Sequence, residues 1–77
     1  MDEETESMIF YAFRYCLGRM TYAVGTCVDY ILNHWDELSV KTKTRIVQEI
    51  ETALRDHTAG MDMDRDQWQR IVERAKS

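Results

Sequence analysis

The sequence predicts an all-α protein, a compact bundle of three to four helices. Three observations carry that prediction. The 77 residues contain no proline and only three glycines, so few positions oblige the chain to break. Apolar residues recur at three- and four-residue spacings along most of the chain. Capping residues and glycines fall between those stripes. No linker, repeat or low-complexity segment interrupts them, so residues 1–77 form one domain, with residues 1–4 expected as a frayed acidic N-terminus.

The first helix is expected over Thr5 to Leu17, with Ile9, Phe13, Cys16 and Leu17 on one side and Phe10 widening the stripe. Gly18 either ends it or dents it. The second runs from Tyr22 to Trp35, carrying Val24, Cys27, Val28, Ile31 and Trp35 at helical spacing. Gly25 lies inside it, at a propensity cost of about 1 kcal/mol relative to alanine, which close approach of a neighbouring helix would offset. Ser39 is the expected N-cap of a third helix, Val40 to His57. Its apolar face is Val40, Val47, Ile50, Ala53, Leu54 and His57, with Gly60 placed for a left-handed C-cap. The last helix is expected to start at Asp64, with Gln67 as capping-box partner and Trp68, Ile71, Val72 and Ala75 facing inward.

Size and charge limit what such a protein can do. A 77-residue domain buries only about 60% of its unfolded surface and gains from a partner, a metal or very good packing. No apolar run is long enough for a transmembrane helix. The opening MDEETES is acidic where a secretory signal is basic, which points to a cytoplasmic protein with Cys16 and Cys27 reduced. The net charge of −4 argues against nucleic acid as the partner, because displacing counterions takes a surplus of cations. Phe10, Tyr11, Tyr15, Met20, Tyr22, Tyr30 and Leu32 cannot all fit inside a core this thin. Another chain is expected to cover part of that surplus.

The candidate site follows from the stretch FRYCLGRMTY. If the first helix continued through Gly18, then Tyr11, Arg14, Tyr15, Arg19 and Tyr22 would share one face. Tyrosine and arginine are favoured interface anchors, pairing a rigid amphipathic ring with a planar multi-donor fork. The same residues could instead stack on one another, with the arginines paired to Asp29 or Asp36 inside the fold.

Other constellations carry less. Asp62 to Glu73 has carboxylates where an EF-hand loop wants them, yet Gln67 stands where that loop needs glycine. Cys16, Cys27, His34 and His57 are spaced C-x10-C-x6-H-x22-H, with no close ligand pair for zinc. Cysteine and histidine occur, but no glycine-rich oxyanion loop accompanies them. No residue is expected to be catalytic, and neither a metal nor a cofactor is expected.

The segment FRYCLGRMTYAVGTCVDYILNHW resembles small helical proteins encoded by phages and prophages. Those proteins share a Phe-Arg-Tyr-x-Leu-Gly-Arg-x-Thr-Tyr core followed by a helix ending in Trp-Asp. The later AGMDMDRDQW is similar to their closing segment, so the resemblance spans most of the chain. By association it implies an inhibitor of a bacterial defence system, anti-CRISPR-like, that acts by steric occlusion of a protein or nucleic-acid-binding surface. The partner is then a host or phage protein. The alternatives are a self-assembling structural homodimer and a nucleic-acid-binding accessory protein.

Overall fold

The computed structural model describes residues 1–77 and is helical throughout, with no strand. Five helices follow one another: α1 (Glu3–Cys16), α2 (Ala23–Asn33), α3 (Val40–Arg55), α4 (Ala59–Met63) and α5 (Arg65–Lys76), with a 3-10 turn at Trp35–Glu37. The expected three or four become five because α4, only five residues long, forms in the connection that was expected to be a C-cap. The four long helices form a ring in which α1 touches α2, α2 touches α5, α5 touches α3 and α3 touches α1.

Local rules explain most of the helix ends. The Asp2 side chain accepts a hydrogen bond from the Thr5 amide at 2.7 Å, so α1 starts at Glu3, two residues before the expected Thr5. Gly18 ends α1 outright, at φ +79°, a backbone region that side chains rarely adopt. Ser39 caps α3 as expected, its hydroxyl accepting from the Thr42 amide. Thr58 does the same for α4 through the Met61 amide.

Several expectations are corrected. Trp35 is buried, but in the 3-10 turn rather than at the end of α2. The left-handed residue after α3 is His57, at φ +51°, and Gly60 sits inside α4. Asp64 precedes α5 but makes no side-chain cap, and the Gln67 side-chain oxygen Oε1 accepts from Arg70 instead of completing a capping box. Val40, expected to be inward, is 77% exposed, because the buried face of α3 is the one that carries Ile46 and Ile50 and Val40 falls outside it. His57 and Ala75 are also exposed.

Fourteen buried apolar residues form one core, to which every helix contributes. Phe13 and Trp68 meet at its centre, edge to face, with ring centroids 5.6 Å apart. Val28, Ile31, Ile46, Ile50 and Ile71 close around them. Met61 places α4 as a plug under the α1–α2 connection.

Candidate partner-binding surface

The break at Gly18 divides the five predicted anchors among three elements. Tyr11, Arg14 and Tyr15 lie on α1, Arg19 is in the connection and Tyr22 immediately precedes α2. They do not share one continuous helical face. Arg19 nevertheless returns to the cluster, its guanidinium 4.4 Å from the centroid of the Tyr15 ring. Tyr11 and Tyr15 stay about two-thirds exposed, and Tyr22 is fully exposed, at 105%.

The internal alternative holds in one half only. Arginine–tyrosine stacking occurs between Arg19 and Tyr15, but neither Asp29 nor Asp36 pairs with Arg14 or Arg19. Asp29 is bonded by Arg70 at 3.0 Å and Asp36 by Arg74 at 2.9 Å, both from α5. Arg14 extends over the edge of Phe10, 6.0 Å from its centroid, while Arg45 sits over the same ring at 4.0 Å. Arg14 and Arg19 thus lie on the surface with no ion-pair partner.

The connection that presents Arg19 and Tyr22 is held by its own backbone. The Arg19 amide donates to the Cys16 carbonyl at 3.1 Å and the Thr21 amide to the Arg19 carbonyl at 3.1 Å. The Thr21 hydroxyl then accepts from the Ala23 amide at 3.3 Å, giving α2 the cap that Tyr22 cannot supply. Met20 and Tyr22 share a shallow cleft of about 510 Å³ with Met63 of α4. Met63 belongs to the surface although nothing in the sequence marks it, since its place depends on α4 docking beneath the connection.

Glu6 is the other residue whose role was not foreseen. It is buried on α1, and its Oε1 accepts from both the Ser39 amide and the Ser39 hydroxyl at 2.9 Å. The Thr42 hydroxyl, with the Ser39 amide next in effect, holds its carboxyl below the ordinary 4.5. A capping box normally takes its acid from the third residue of the same helix. Here α1 supplies that acid to α3, and so fixes the angle between them.

An apolar groove runs between α1 and α2 on the side away from the core. Thr5, Met8, Ile9, Ala12 and Cys16 line one wall and Ala23, Thr26, Cys27, Tyr30 and Ile31 the other, enclosing about 480 Å³. Cys16 and Cys27 meet on its floor as free thiols. Burial, with Cys16 beside it, pushes the Cys27 thiol up to about 12.

The zinc quartet is not assembled. His34 bonds Glu37 at 2.6 Å, and His57 lies 3.5 Å from Asp62, both away from the thiols. The EF-hand echo is likewise dispersed over α4 and α5, with Asp62 drawn to Arg65 at 3.1 Å. No three histidine, cysteine or carboxylate side chains converge anywhere. No helix is long and apolar enough to cross a membrane. No family model, curated protein or solved structure matches this chain.

Proposed function

We propose that the protein is an interaction module that binds another protein through the surface formed by Tyr11, Arg14, Tyr15, Arg19 and Tyr22, extended by Met20 and Met63. One observation carries this reading. Large aromatic and methionine side chains stand exposed beside two arginines that have no ion-pair partner, next to a connection fixed by hydrogen bonds. Anchors held in place before binding lose little conformational entropy on docking. The net charge of −4 favours a protein over a nucleic acid as the partner.

The resemblance of FRYCLGRMTY to phage-encoded helical proteins supports a more specific role. In it the module acts in the host cytoplasm as a stoichiometric, anti-CRISPR-like inhibitor. It occludes a surface that a bacterial defence protein uses to bind nucleic acid or a partner. The test is affinity capture from nuclease-treated bacterial lysate, with the Arg14→Glu/Arg19→Glu variant as control. One protein enriched by wild type and lost from a variant of unchanged helicity is the expected result. Equal capture by both would refute the surface assignment.

A further inference from the structure

We propose that the α1–α2 groove is the seam of a symmetric homodimer, in which a second copy packs against it with the two α1 helices antiparallel. The spacing of its lining has the form of a helix seam. On α1 the lining includes Thr5, Ile9, Ala12 and Cys16, separated by four, three and four positions, with Met8 beside them, and on α2 it includes Ala23, Cys27 and Tyr30, separated by four and three, with Thr26 and Ile31 beside them. That is the a/d rhythm of helices that pack side by side. No charged residue lines either wall. Ala12, Ala23 and Thr26 make the middle shallow, while Met8, 68% exposed, projects from the rim as a knob for the facing hole. Two such faces set together complete a four-helix bundle, α1 and α2 from each copy.

Charge selects a second copy as the occupant. The exposed stripe of α1 continues from Glu4 through Met8 and Ala12 to Tyr15, and Tyr15 carries Arg19 on its ring. Its N-terminal end carries Glu4, free of ion pairs, and its C-terminal end holds the equally unpaired Arg19 on the Tyr15 ring. An antiparallel copy lays the acidic end of each helix beside the basic end of the other, twice over by symmetry. A parallel arrangement sets like charge against like. The face is about 21 Å long and two helices wide, on the order of 500–600 Å² per partner. An interface of that size holds a weak, exchanging dimer, with dissociation expected in the micromolar range. It shares Tyr15 and Arg19 with the surface proposed above, so partner binding and self-association compete.

The test is sedimentation equilibrium of the full chain from about 5 to 500 µM, with circular dichroism on every variant. The expected result is a monomer–dimer equilibrium built on the 9.2 kDa chain. Ala12→Glu, which places a charge on the floor of the seam, should leave a monomer of unchanged helicity. If Ala12→Glu loses helicity, the charge swap decides alone. Glu4→Arg and Arg19→Glu should each weaken the dimer about tenfold, and the double variant should restore it. Three outcomes overturn the proposal: a monomer at every concentration, a dimer indifferent to both changes, or single reversals that the double variant does not rescue. A monomer whose groove binds the apolar dye ANS would also overturn it, and would assign the groove to a different occupant.

Discussion

A Cβ placed on Gly60 would lie 2.0 Å from the carbonyl oxygen of Gly18. The first turn of α4 therefore rests directly against the backbone that ends α1, and no side chain fits between them. Gly18 contributes its left-handed φ of +79°, and Gly60 contributes the missing side chain. Together they fix the connection that presents Arg19, Met20 and Tyr22.

The three glycines should accordingly respond differently to alanine. Gly60→Ala must push two backbones apart, an overpacking cost of about 3 kcal/mol, which lowers the melting temperature by roughly 10 °C or more. Gly18→Ala is strained at positive φ and should cost about 1 kcal/mol. Gly25→Ala meets only the Gln67 amide nitrogen at 3.8 Å, an ordinary contact, so it should stabilise by up to about 1 kcal/mol. The close helix approach expected at Gly25 occurs at Gly60 instead. Thermal melts of the three variants check this order, and a neutral Gly60→Ala would refute it.

Acid should loosen the fold through Glu6. Hydrogen bonds in the folded state hold its carboxyl below 4.5, so the unfolded chain binds a proton there more readily than the folded one. The resulting stability is complete above about pH 4.5 and is lost as the pH falls through the lowered folded value. Asp2, held down by the Thr5 hydroxyl and amide, and Asp62, held down by Arg65, act in the same direction below 3.8. Melting temperature against pH should therefore fall more steeply in acid for wild type than for Glu6→Gln. The gap between the two should close toward low pH, and parallel curves would show that Glu6 is not the group responsible.

The thiols should be slow to react while the protein is folded. With Cys27 raised to about 12, almost none of it is thiolate at pH 8, and Cys16 is buried. Iodoacetamide at pH 8 should modify Cys27 about a hundredfold more slowly in the native protein than in urea, as mass spectrometry of quenched samples would record. Equal rates would mean that the α1–α2 seam opens freely.

The centre of the core tolerates little change. Trp68 is fully buried against Phe13, and Trp68→Ala should cost about 3–5 kcal/mol. A chain of this size has roughly 4–12 kcal/mol in total, so the variant should lose a large share of its stability and melt at a markedly lower temperature. The indole N–H of Trp68 has no hydrogen-bond partner. Trp68→Phe removes that orphan donor along with some volume, so its cost should stay below about 2 kcal/mol. Urea melts of the pair check the difference, and a Trp68→Phe loss as large as that of Trp68→Ala would refute it.

Much of the fold is legible in the sequence because helix formation is decided within four residues. The stripes through Phe13, Val28, Ile50 and Trp68 mark inward faces correctly, and Ser39 announces the start of α3. Composition also marks Tyr11, Tyr15, Met20, Tyr22 and Tyr30 as more apolar and aromatic surface than the core can hold, and all five are exposed, whereas Phe10 of the same set is buried and Leu32 half-buried. Sequence by itself thus determined the all-α class, the capped start of α3 and the excess of aromatic side chains around FRYCLGRMTY.

Tertiary structure decided what depends on residues far apart in the chain. Glu6 reaches Ser39 across 33 positions and Asp36 reaches Arg74 across 38, separations that no local pattern encodes. Whether Gly18 ends a helix or bends one is set by Gly60, which the chain brings up only once α4 has formed. The freedom of Arg14 and Arg19 is decided in the same way, because α5 docks against α2 and its arginines take the carboxylates that could have held them. Periodicity and capping act along one helix, whereas ion pairs and backbone contacts between helices depend on packing.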